Sequence, residues 1–254
     1  MIHLKAPITD LTRTNANIVI LTLESPELVR ASLPGQFINI RVHDLAGPLL
    51  RRPFSVYWVS GDEVKIIFNV VGPGTRLLAS RRPGETLDII GPLGCPFTVE
   101  GEYETALLVA GGLGVAPMPM LTQAVKGKKR VVTFLGARGA SGIVGSYLEN
   151  VECATDDGSS GFRGTVVDLL RARLSEGGFA RPKVFGCGPS AMLRSLSELT
   201  ARMAIPCEVS LETSMACGIG LCQGCPVERV DGGGKKYSLV CKEGPVFDAT
   251  TIRI

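Results

Sequence analysis

The sequence contains few of the residues on which hydrolytic catalysis usually depends. It has only two histidines among its 254 residues, His3 and His43, and both lie in the N-terminal half. Neither an H-E-x-x-H motif nor a G-x-S-x-G motif occurs. Catalysis of the metalloprotease or serine-hydrolase type is therefore poorly supported.

Long apolar runs and a strong excess of charge are also missing. No segment approaches the roughly 18 uninterrupted apolar residues of a membrane span. The segment from Met1 to Asp10 carries a proline and an aspartate where a signal peptide needs an apolar stretch. A net charge of +3 and a hydrophobic content of 45% are typical of a protein that buries an apolar core. We therefore expect a cytoplasmic protein without a membrane span and without a nucleic-acid partner.

Eight cysteines are the most unusual feature of the composition. In a chain without an export signal they argue against a disulfide scaffold. They favour metal binding or redox work in a reducing compartment.

Short runs of β-branched or aromatic residues, separated by Gly and Pro turns, fill residues 1–98, and they predict a small antiparallel β-barrel. These runs are Asn17–Leu23, Gln36–Val42, Phe54–Trp58 and Val64–Val71.

Residues 99–209 alternate between apolar strand patterns and helical patterns, which predicts a parallel sheet with crossover helices. The helical patterns cover Val115–Val125, Gly164–Leu174 and Ser190–Met203, and Ser190 is the expected N-cap of the last one. Residues 210–254 are rich in glycine and cysteine and too short to bury much core. We expect them to form a small third module that a metal centre stabilises.

Three cysteines of that tail follow the spacing C-x4-C-x2-C, at Cys217, Cys222 and Cys225, and Cys241 follows after fifteen intervening residues. This is the ligand spacing of plant-type [2Fe–2S] clusters. Structural zinc and plain free thiols are the alternatives. Zinc sites more often combine two C-x2-4-C pairs on two knuckles, so the spacing favours iron–sulfur.

Two glycine-rich loops each follow a predicted strand of the central region. Gly111–Pro117 reads GGLGVAP, and Phe185–Pro189 reads FGCGP. Ligands of open α/β sheets bind at the carboxyl ends of strands, and backbone N–H groups at such a loop can face a pyrophosphate. The two loops therefore predict one nucleotide site, although a tight strand–helix turn without a ligand is the alternative for either loop alone.

The barrel region contains Arg51-Arg52-Pro53-Phe54-Ser55 before one strand and Gly72-Pro73-Gly74-Thr75 after another. A basic residue beside extended backbone can pair with a flavin pyrophosphate, and a serine can hydrogen-bond a flavin ring nitrogen. On spacing alone, a surface arginine pair is the competing interpretation.

Taken in this order, the motifs resemble the ferredoxin reductase-like flavoproteins, in particular the electron transfer subunits of NAD-dependent dihydroorotate dehydrogenases. Further motifs of the resemblance are Gly91–Gly94, Thr155–Ser159 and Val240–Phe247. Some relatives carry an aspartate as the first cluster ligand. Cys217 stands at that position here, which favours the dihydroorotate dehydrogenase branch.

The resemblance implies a multidomain fold: an FAD-binding antiparallel β-barrel over 1–98, an NAD-binding parallel α/β domain over 99–209 and a [2Fe–2S] module over 210–254. It implies that FAD contacts Arg52, Pro53, Phe54, Ser55, Gly72, Gly74 and Thr75. It implies that NAD contacts Gly112, Gly114, Asp156, Gly188 and Pro189, with Cys187 beside the nicotinamide as the catalytic position. It assigns the cluster to Cys217, Cys222, Cys225 and Cys241.

Asp156 and Asp157 would disfavour a 2′-phosphate and so favour NAD over NADP, although Arg138 could act in the opposite sense. The function implied is transfer of electrons from a dihydroorotate-oxidising partner through the cluster and FAD to NAD+. The expected partner is an FMN-containing catalytic subunit, in a heterotetramer of two of each chain.

Two alternatives stay open at this point. One is the reductase subunit of a hydrogenase, sulfide dehydrogenase or ferredoxin:NADP transhydrogenase complex. The other is a zinc-stabilised nucleotide-binding module without redox activity.

Overall fold

A computed structural model describes residues 1–14, 17–43, 47–232 and 234–254. Its first part is a closed antiparallel barrel with the strand order β1-β2-β5-β4-β3-β6. Alternate side chains of these strands fill the interior, for example Ile38 and Ile40 of β3 and Leu21 and Leu23 of β2. The strands are β1 (Ile2–Arg13), β2 (Ile18–Glu24), β3 (Phe37–Arg41), β4 (Arg52–Ser60), β5 (Glu63–Asn69) and β6 (Thr86–Leu93).

Two short helices accompany the barrel, α1 (Pro26–Ala31) and α2 (Pro73–Ala79). The Ser25 hydroxyl caps α1 by accepting a hydrogen bond from the N–H of Leu28. The turn that leads from β5 into α2 places Thr75 at the mouth of a cavity described below.

A seven-stranded sheet follows, with the order β10-β9-β8-β7-β11-β12-β15. Every pairing is parallel except that of β12 with β15. The strands are β7 (Thr105–Gly111), β8 (Arg130–Ala137), β9 (Val151–Thr155), β10 (Phe162–Arg163), β11 (Pro182–Cys187), β12 (Cys207–Ser210) and β15 (Val246–Asp248).

The order of these strands reverses between β7 and β11, which are neighbours in the sheet although a long stretch of chain separates them. The chain builds outward from β7 on one side through β8 and β9, and on the other side through β11 and β12. Connections at such a reversal leave in opposite directions, so a crevice opens at the carboxyl ends of the two central strands.

Three helices cover the sheet: α3 (Met118–Val125), α4 (Val166–Glu176) and α5 (Ser190–Arg202). Leu193, Leu196 and Leu199 of α5 are buried at the helical spacing expected of an amphipathic helix. The expectation that Ser190 caps α5 is wrong. Pro189 occupies the N-cap position without a side-chain cap, and Ser190 is the first helical residue.

The helix expected over Val115–Val125 is interrupted. Gly112–Val115 form a 3-10 turn, and α3 begins only at Met118. Pro117 lacks the N–H that a helix interior requires, so it fits better at the N-cap where the structure places it.

The C-terminal segment is tied to the rest of the fold. A small hairpin joins β13 (Pro226–Glu228) to β14 (Tyr237–Leu239). The following strand, β15, extends the large sheet. Within the described residues, no helix is both long enough and apolar enough to cross a membrane.

Candidate functional site

A cavity of about 710 Å³ lies at the reversal point of the sheet. Gly112 from the β7 loop and Pro189 from the β11 loop both line it, as the two glycine-rich motifs predicted. Asp156 and Arg138 line the same cavity. The structure therefore brings together three of the five residues expected to contact NAD.

The other two, Gly114 and Gly188, do not line this cavity. Gly114 packs directly against the end of β11. A Cβ atom at this position would lie 2.1 Å from the carbonyl oxygen of Cys187 and 2.6 Å from the nitrogen of Gly188. The sequence uses glycine here because the two loops pass each other backbone to backbone.

Asp156 and Asp157, which follow β9, lie in two different environments. Asp157 accepts hydrogen bonds from the N–H and hydroxyl of Ser159, which lower the pKa of its carboxyl group. Asp157 is thus held in its own turn and is not among the cavity-lining residues, whereas Asp156 is. Asp156 and Arg138 are the charged side chains that a bound ligand would meet there.

A second cavity, of about 400 Å³, opens between the barrel and the large sheet. Pro53, Phe54, Ser55 and Thr75 form its barrel wall, and Cys187 faces it from the end of β11. These are five of the residues assigned to FAD and to the catalytic position. Ser210, Glu212 and Met215 complete the wall from the C-terminal side.

The adjacent arginines at the start of β4 have different partners. Arg51 donates to the Asp88 carboxylate at 2.6 Å and is mostly buried. Burial alone would raise the pKa of Asp88, but hydrogen bonds from Arg51 and His3 outweigh it and lower that pKa. Arg51 therefore stabilises the barrel.

Arg52 forms no ion pair within the described part of the chain. Its Nη1 donates to the backbone carbonyls of Leu50 at 2.7 Å and Arg51 at 3.2 Å. The side chain lies against the start of α2. A Cβ atom added at Gly74 would be 2.9 Å from the Arg52 Nε. An unpaired guanidinium in this place is suited to a phosphate group.

The Thr75 hydroxyl holds the turn into α2. It accepts from the N–H groups of Val71 at 3.0 Å and Gly72 at 3.1 Å, and it donates to the Gly72 carbonyl. Gly72 is the N-cap of α2 and does not line either cavity. Thr75 thus shapes the cavity rim, and Gly72 and Gly74 contribute to the turn that supports it.

Cys187 is 2% exposed, and burial raises the pKa of its thiol well above the usual range, with the neighbouring Glu212 adding to the effect. A thiol in this environment stays neutral and is a poor nucleophile. It lines the cavity at the meeting point of the barrel and the sheet.

Glu212 was not singled out by sequence reasoning. Its side chain is exposed and lines the cavity, yet desolvation by the surrounding protein raises the pKa of the carboxyl group. The sequence offered no signal for it, because one glutamate in Leu211–Ser214 looks like any solvated loop residue.

The four cysteines of the tail come together at one loop. Cys225 and Cys241 are buried, Cys217 is half-buried and Cys222 is exposed. Backbone N–H groups point at three of the four sulfurs. The Cys217 Sγ accepts hydrogen bonds from Ile219 at 3.5 Å and from Cys222 at 3.4 Å. The Cys241 Sγ accepts from Gly220 at 3.1 Å, and the Cys225 Sγ accepts from Cys241 at 3.4 Å.

This donor set fits thiolates that ligate a metal centre. Burial would raise the pKa of Cys217, but the N–H donors of Cys222 and Ile219 lower it to about 6 and so favour the thiolate. Four thiolates are the ligands of a [2Fe–2S] cluster. Among the residues described, no three His, Cys, Asp or Glu side chains converge closely enough to hold a single metal ion.

Comparison with known proteins agrees with this arrangement. Residues 212–253 match the family model for the iron-sulfur cluster binding domain of dihydroorotate dehydrogenase B. The chain is 37% identical to the dihydroorotate dehydrogenase B (NAD(+)) electron transfer subunit of Desulforamulus reducens, over 91% of this chain and 90% of that one. It is 39% identical to the subunit of the same name from Bacillus caldolyticus, over 90% of each chain.

Among solved structures, an NADH-dependent reduced ferredoxin-NADP oxidoreductase described for flavin-based electron bifurcation superposes with a TM-score of 0.87 at 28% identity. The match covers 98% of this chain and 89% of that one. The ferredoxin reductase of a carbazole 1,9a-dioxygenase superposes with a TM-score of 0.65 at 19% identity, over 81% of this chain and 67% of that one, and shares the fold.

The closed antiparallel barrel and the parallel sheet with a cavity at its reversal point place this chain in the ferredoxin reductase-like class of proteins. Within that class, this chain belongs to the family of dihydroorotate dehydrogenase B (NAD(+)) electron transfer subunits.

Proposed function

We propose that this chain is the electron transfer subunit of an oxidoreductase complex that oxidises dihydroorotate and reduces NAD+, a reaction of pyrimidine biosynthesis. The observation that carries the proposal is the cavity between the barrel and the sheet. Its wall includes Phe54 and Ser55 of the barrel, Cys187 of the sheet and Met215, two residues before the first cysteine of the loop. This one cavity thus adjoins the barrel, the sheet and the cysteine loop, the three parts between which electrons would pass.

The barrel wall fits an FAD. Phe54 and Ser55 would lie beside the isoalloxazine, with the Ser55 hydroxyl available to a ring nitrogen. Arg52 would neutralise the pyrophosphate, since it has no carboxylate partner in the described residues. Pro53 and Thr75 would bound the site, while Gly72 and Gly74 hold the turn. When bound, FAD exchanges two electrons with a nicotinamide and single electrons with an iron–sulfur cluster.

The cavity at the sheet reversal would hold NAD, with backbone of the Gly112 and Pro189 loops facing its phosphates. Gly114 and Gly188 would act indirectly, by letting those loops approach each other. The Asp156 carboxylate would accept hydrogen bonds from an adenosine ribose and repel a 2′-phosphate. Arg138 would partly offset that repulsion, so the preference for NAD would be moderate.

Cys217, Cys222, Cys225 and Cys241 would ligate a [2Fe–2S] cluster. The N–H groups aimed at their sulfurs would stabilise thiolate charge and tune the cluster potential. Cys187 would pack beside the nicotinamide as a neutral thiol. The domain limits 1–98, 99–209 and 210–254 belong to the same proposal, with β15 linking the last segment to the sheet.

Dihydroorotate oxidation would take place on a separate catalytic subunit that carries FMN, in a complex of two copies of each chain. Cys222 and its neighbour Leu221 are exposed on the loop, with Leu221 77% exposed, so a partner can approach the loop closely. All eight cysteines are unpaired, which supports a reducing compartment and hence the cytoplasm.

The reductase subunit of a ferredoxin:NADP transhydrogenase complex is the second candidate. It is favoured by the overlap with the ferredoxin-NADP oxidoreductase structure across nearly the whole chain. The two functions differ in their electron donor, and a purified complex can be assayed with each donor.

The test is co-purification of this chain with its partner, followed by assay of dihydroorotate-dependent NAD+ reduction. We expect Cys222→Ser to keep the flavin, and NADH oxidation by ferricyanide, while dihydroorotate-dependent NAD+ reduction is lost. Cys95→Ser is the matched control, since Cys95 is an exposed thiol outside the loop. Full dihydroorotate-dependent activity of Cys222→Ser would contradict the proposed role of the loop.

A further inference from the structure

The barrel strand β3 separates the barrel interior from the cysteine loop. Its side chains alternate, as in any strand. Ile38 and Ile40 point into the barrel core, whereas Phe37 packs in the cluster of buried residues that contains Cys225 and Cys241. Asn39 lies on the same side of β3 as Phe37, so the cysteine loop covers an asparagine that the barrel alone would leave on its outer surface.

Asn39 is 1% exposed and contacts the loop through its amide nitrogen. The Nδ2 donates to the carbonyl oxygen of Cys217 at 3.0 Å. The other side-chain atom, Oδ1, is buried without a hydrogen-bond partner. Leaving a buried acceptor unpaired costs stability, so the site would suit an apolar side chain better on stability alone. What asparagine provides, and an apolar residue cannot, is the donor to Cys217.

The loop is shaped around this amide. Gly218 has a φ of +70°, and a Cβ at Gly218 would lie 2.5 Å from the Asn39 Nδ2. The Asn39 amide group therefore contacts both residues of the Cys217–Gly218 peptide, Cys217 by the hydrogen bond and Gly218 by close approach. The orientation of this peptide directs the following N–H groups, of which Ile219 and Cys222 donate to the Cys217 sulfur.

Asn39 also pairs with β4, the strand that lines the barrel–sheet cavity. In the β3–β4 ladder, Asn39 is opposite Pro53 and Phe37 is opposite Ser55. The Nη1 of Arg51 also donates to the backbone carbonyl of Asn39, at 3.4 Å. A single residue thus connects the first cysteine of the loop to the wall of the proposed flavin site.

We propose that Asn39 is a positioning residue for the iron–sulfur centre: it fixes the Cys217 peptide against the flavin-binding strand, so that the Cys217 thiolate is held for ligation. The proposal rests on the proposed function, since it requires that Cys217 ligates a cluster. Asn39 itself touches no reacting atom.

The test compares Asn39→Leu with Thr22→Val in the purified protein, with its cofactors and any partner that copurifies. Thr22 is the matched control, because it is also on a barrel strand, is 1% exposed and has a buried hydroxyl without a partner. The measurements are the rate of iron release to a chelator and the electron paramagnetic resonance spectrum of the reduced protein.

We expect Asn39→Leu to release iron about fivefold faster or more, as loss of one buried hydrogen bond implies, and to shift the g-values. Thr22→Val should match the wild type in both. Iron release and g-values of Asn39→Leu that equal those of Thr22→Val would overturn the proposal. If Asn39→Leu does not fold, the comparison of Gly218→Ala with Gly220→Ala decides.

Both glycines have a left-handed φ, but a Cβ at Gly220 would meet the flexible Lys242 side chain at 3.0 Å, not Asn39. Gly218→Ala should therefore release iron faster than Gly220→Ala, and equal or slower release would overturn the proposal. A wild-type protein without any cluster would contradict the proposed function itself. A wild-type cluster that is indifferent to Asn39 would contradict this inference alone.

Discussion

Replacing Gly114 by alanine would test whether the close contact between the two glycine-rich loops sets the geometry of the nucleotide site. The added Cβ would lie 2.1 Å from the Cys187 carbonyl oxygen, 2.4 Å from its carbon and 2.6 Å from the Gly188 nitrogen. All three are backbone atoms, so no side chain can rotate away. The loops must separate by about 0.9 Å before the shortest contact reaches 3.0 Å.

Forced separation of this kind costs about 1–3 kcal/mol in a packed region. It would also displace the end of β11, where Cys187 faces one cavity and Pro189 the other. Misplacement by about 1 Å at a reacting site can lower the rate by up to ~100-fold. We therefore expect Gly114→Ala to lower kcat/KM for NADH by about 10- to 100-fold while the flavin stays bound.

NADH oxidation by ferricyanide is the assay, because it requires the nucleotide site and the flavin but not the partner. Gly145→Ala is the matched control: its φ is not left-handed, it is exposed, and the nearest atom to the added Cβ is 4.0 Å away. A kcat/KM of Gly114→Ala within about twofold of the Gly145→Ala value would refute the reasoning.

Three further predictions concern the arginine pair of β4, the acidic residue of the nucleotide cavity and the buried thiol at the end of β11. Arg52→Ala should weaken FAD binding by about 10- to 100-fold, since it removes charge-assisted hydrogen bonds, whereas Arg51→Ala should lower the unfolding temperature and leave FAD affinity almost unchanged; equilibrium dialysis and calorimetry measure the two. Asp156→Ser should raise kcat/KM for NADPH relative to NADH by about tenfold or more, as removal of one repulsive charge predicts, and an unchanged ratio would place the ribose elsewhere. Mass spectrometry after brief iodoacetamide treatment at pH 8 should find Cys95 alkylated and Cys187 untouched, because burial raises the Cys187 pKa.

The parts of the fold that the sequence predicted are those with strong local signals. Buried strands such as β7 and β11 are mostly apolar and each leads into a glycine-rich loop, so both the sheet and its ligand-binding edge could be expected. The C-x4-C-x2-C spacing identified the cysteine loop for the same reason. These patterns lie within short segments and do not depend on distant contacts.

Other features depend on long-range contacts and carry no such signal. β15 is only three residues long, and its place in the sheet depends on its pairing with β12. Glu212 becomes a cavity residue only when the barrel closes over the segment. Asn39 is indistinguishable from a surface asparagine until the loop, more than 170 residues later, covers it.

The sequence-based predictions of helix limits were wrong at two places where two local preferences compete. Ser190 is a favourable N-cap residue, but Pro189 before it occupies that position, and the serine begins the helix. The apolar pattern after Gly114 indicated a continuous helix, but Pro117 divides it into a 3-10 turn and α3.

The most direct test of the central claim is an absorbance spectrum of the protein purified without oxygen, before and after addition of NADH. The account predicts flavin peaks above a broad iron–sulfur shoulder, with both bleached by NADH. A colourless protein that contains zinc would leave the fold in place and contradict the proposed electron transfer.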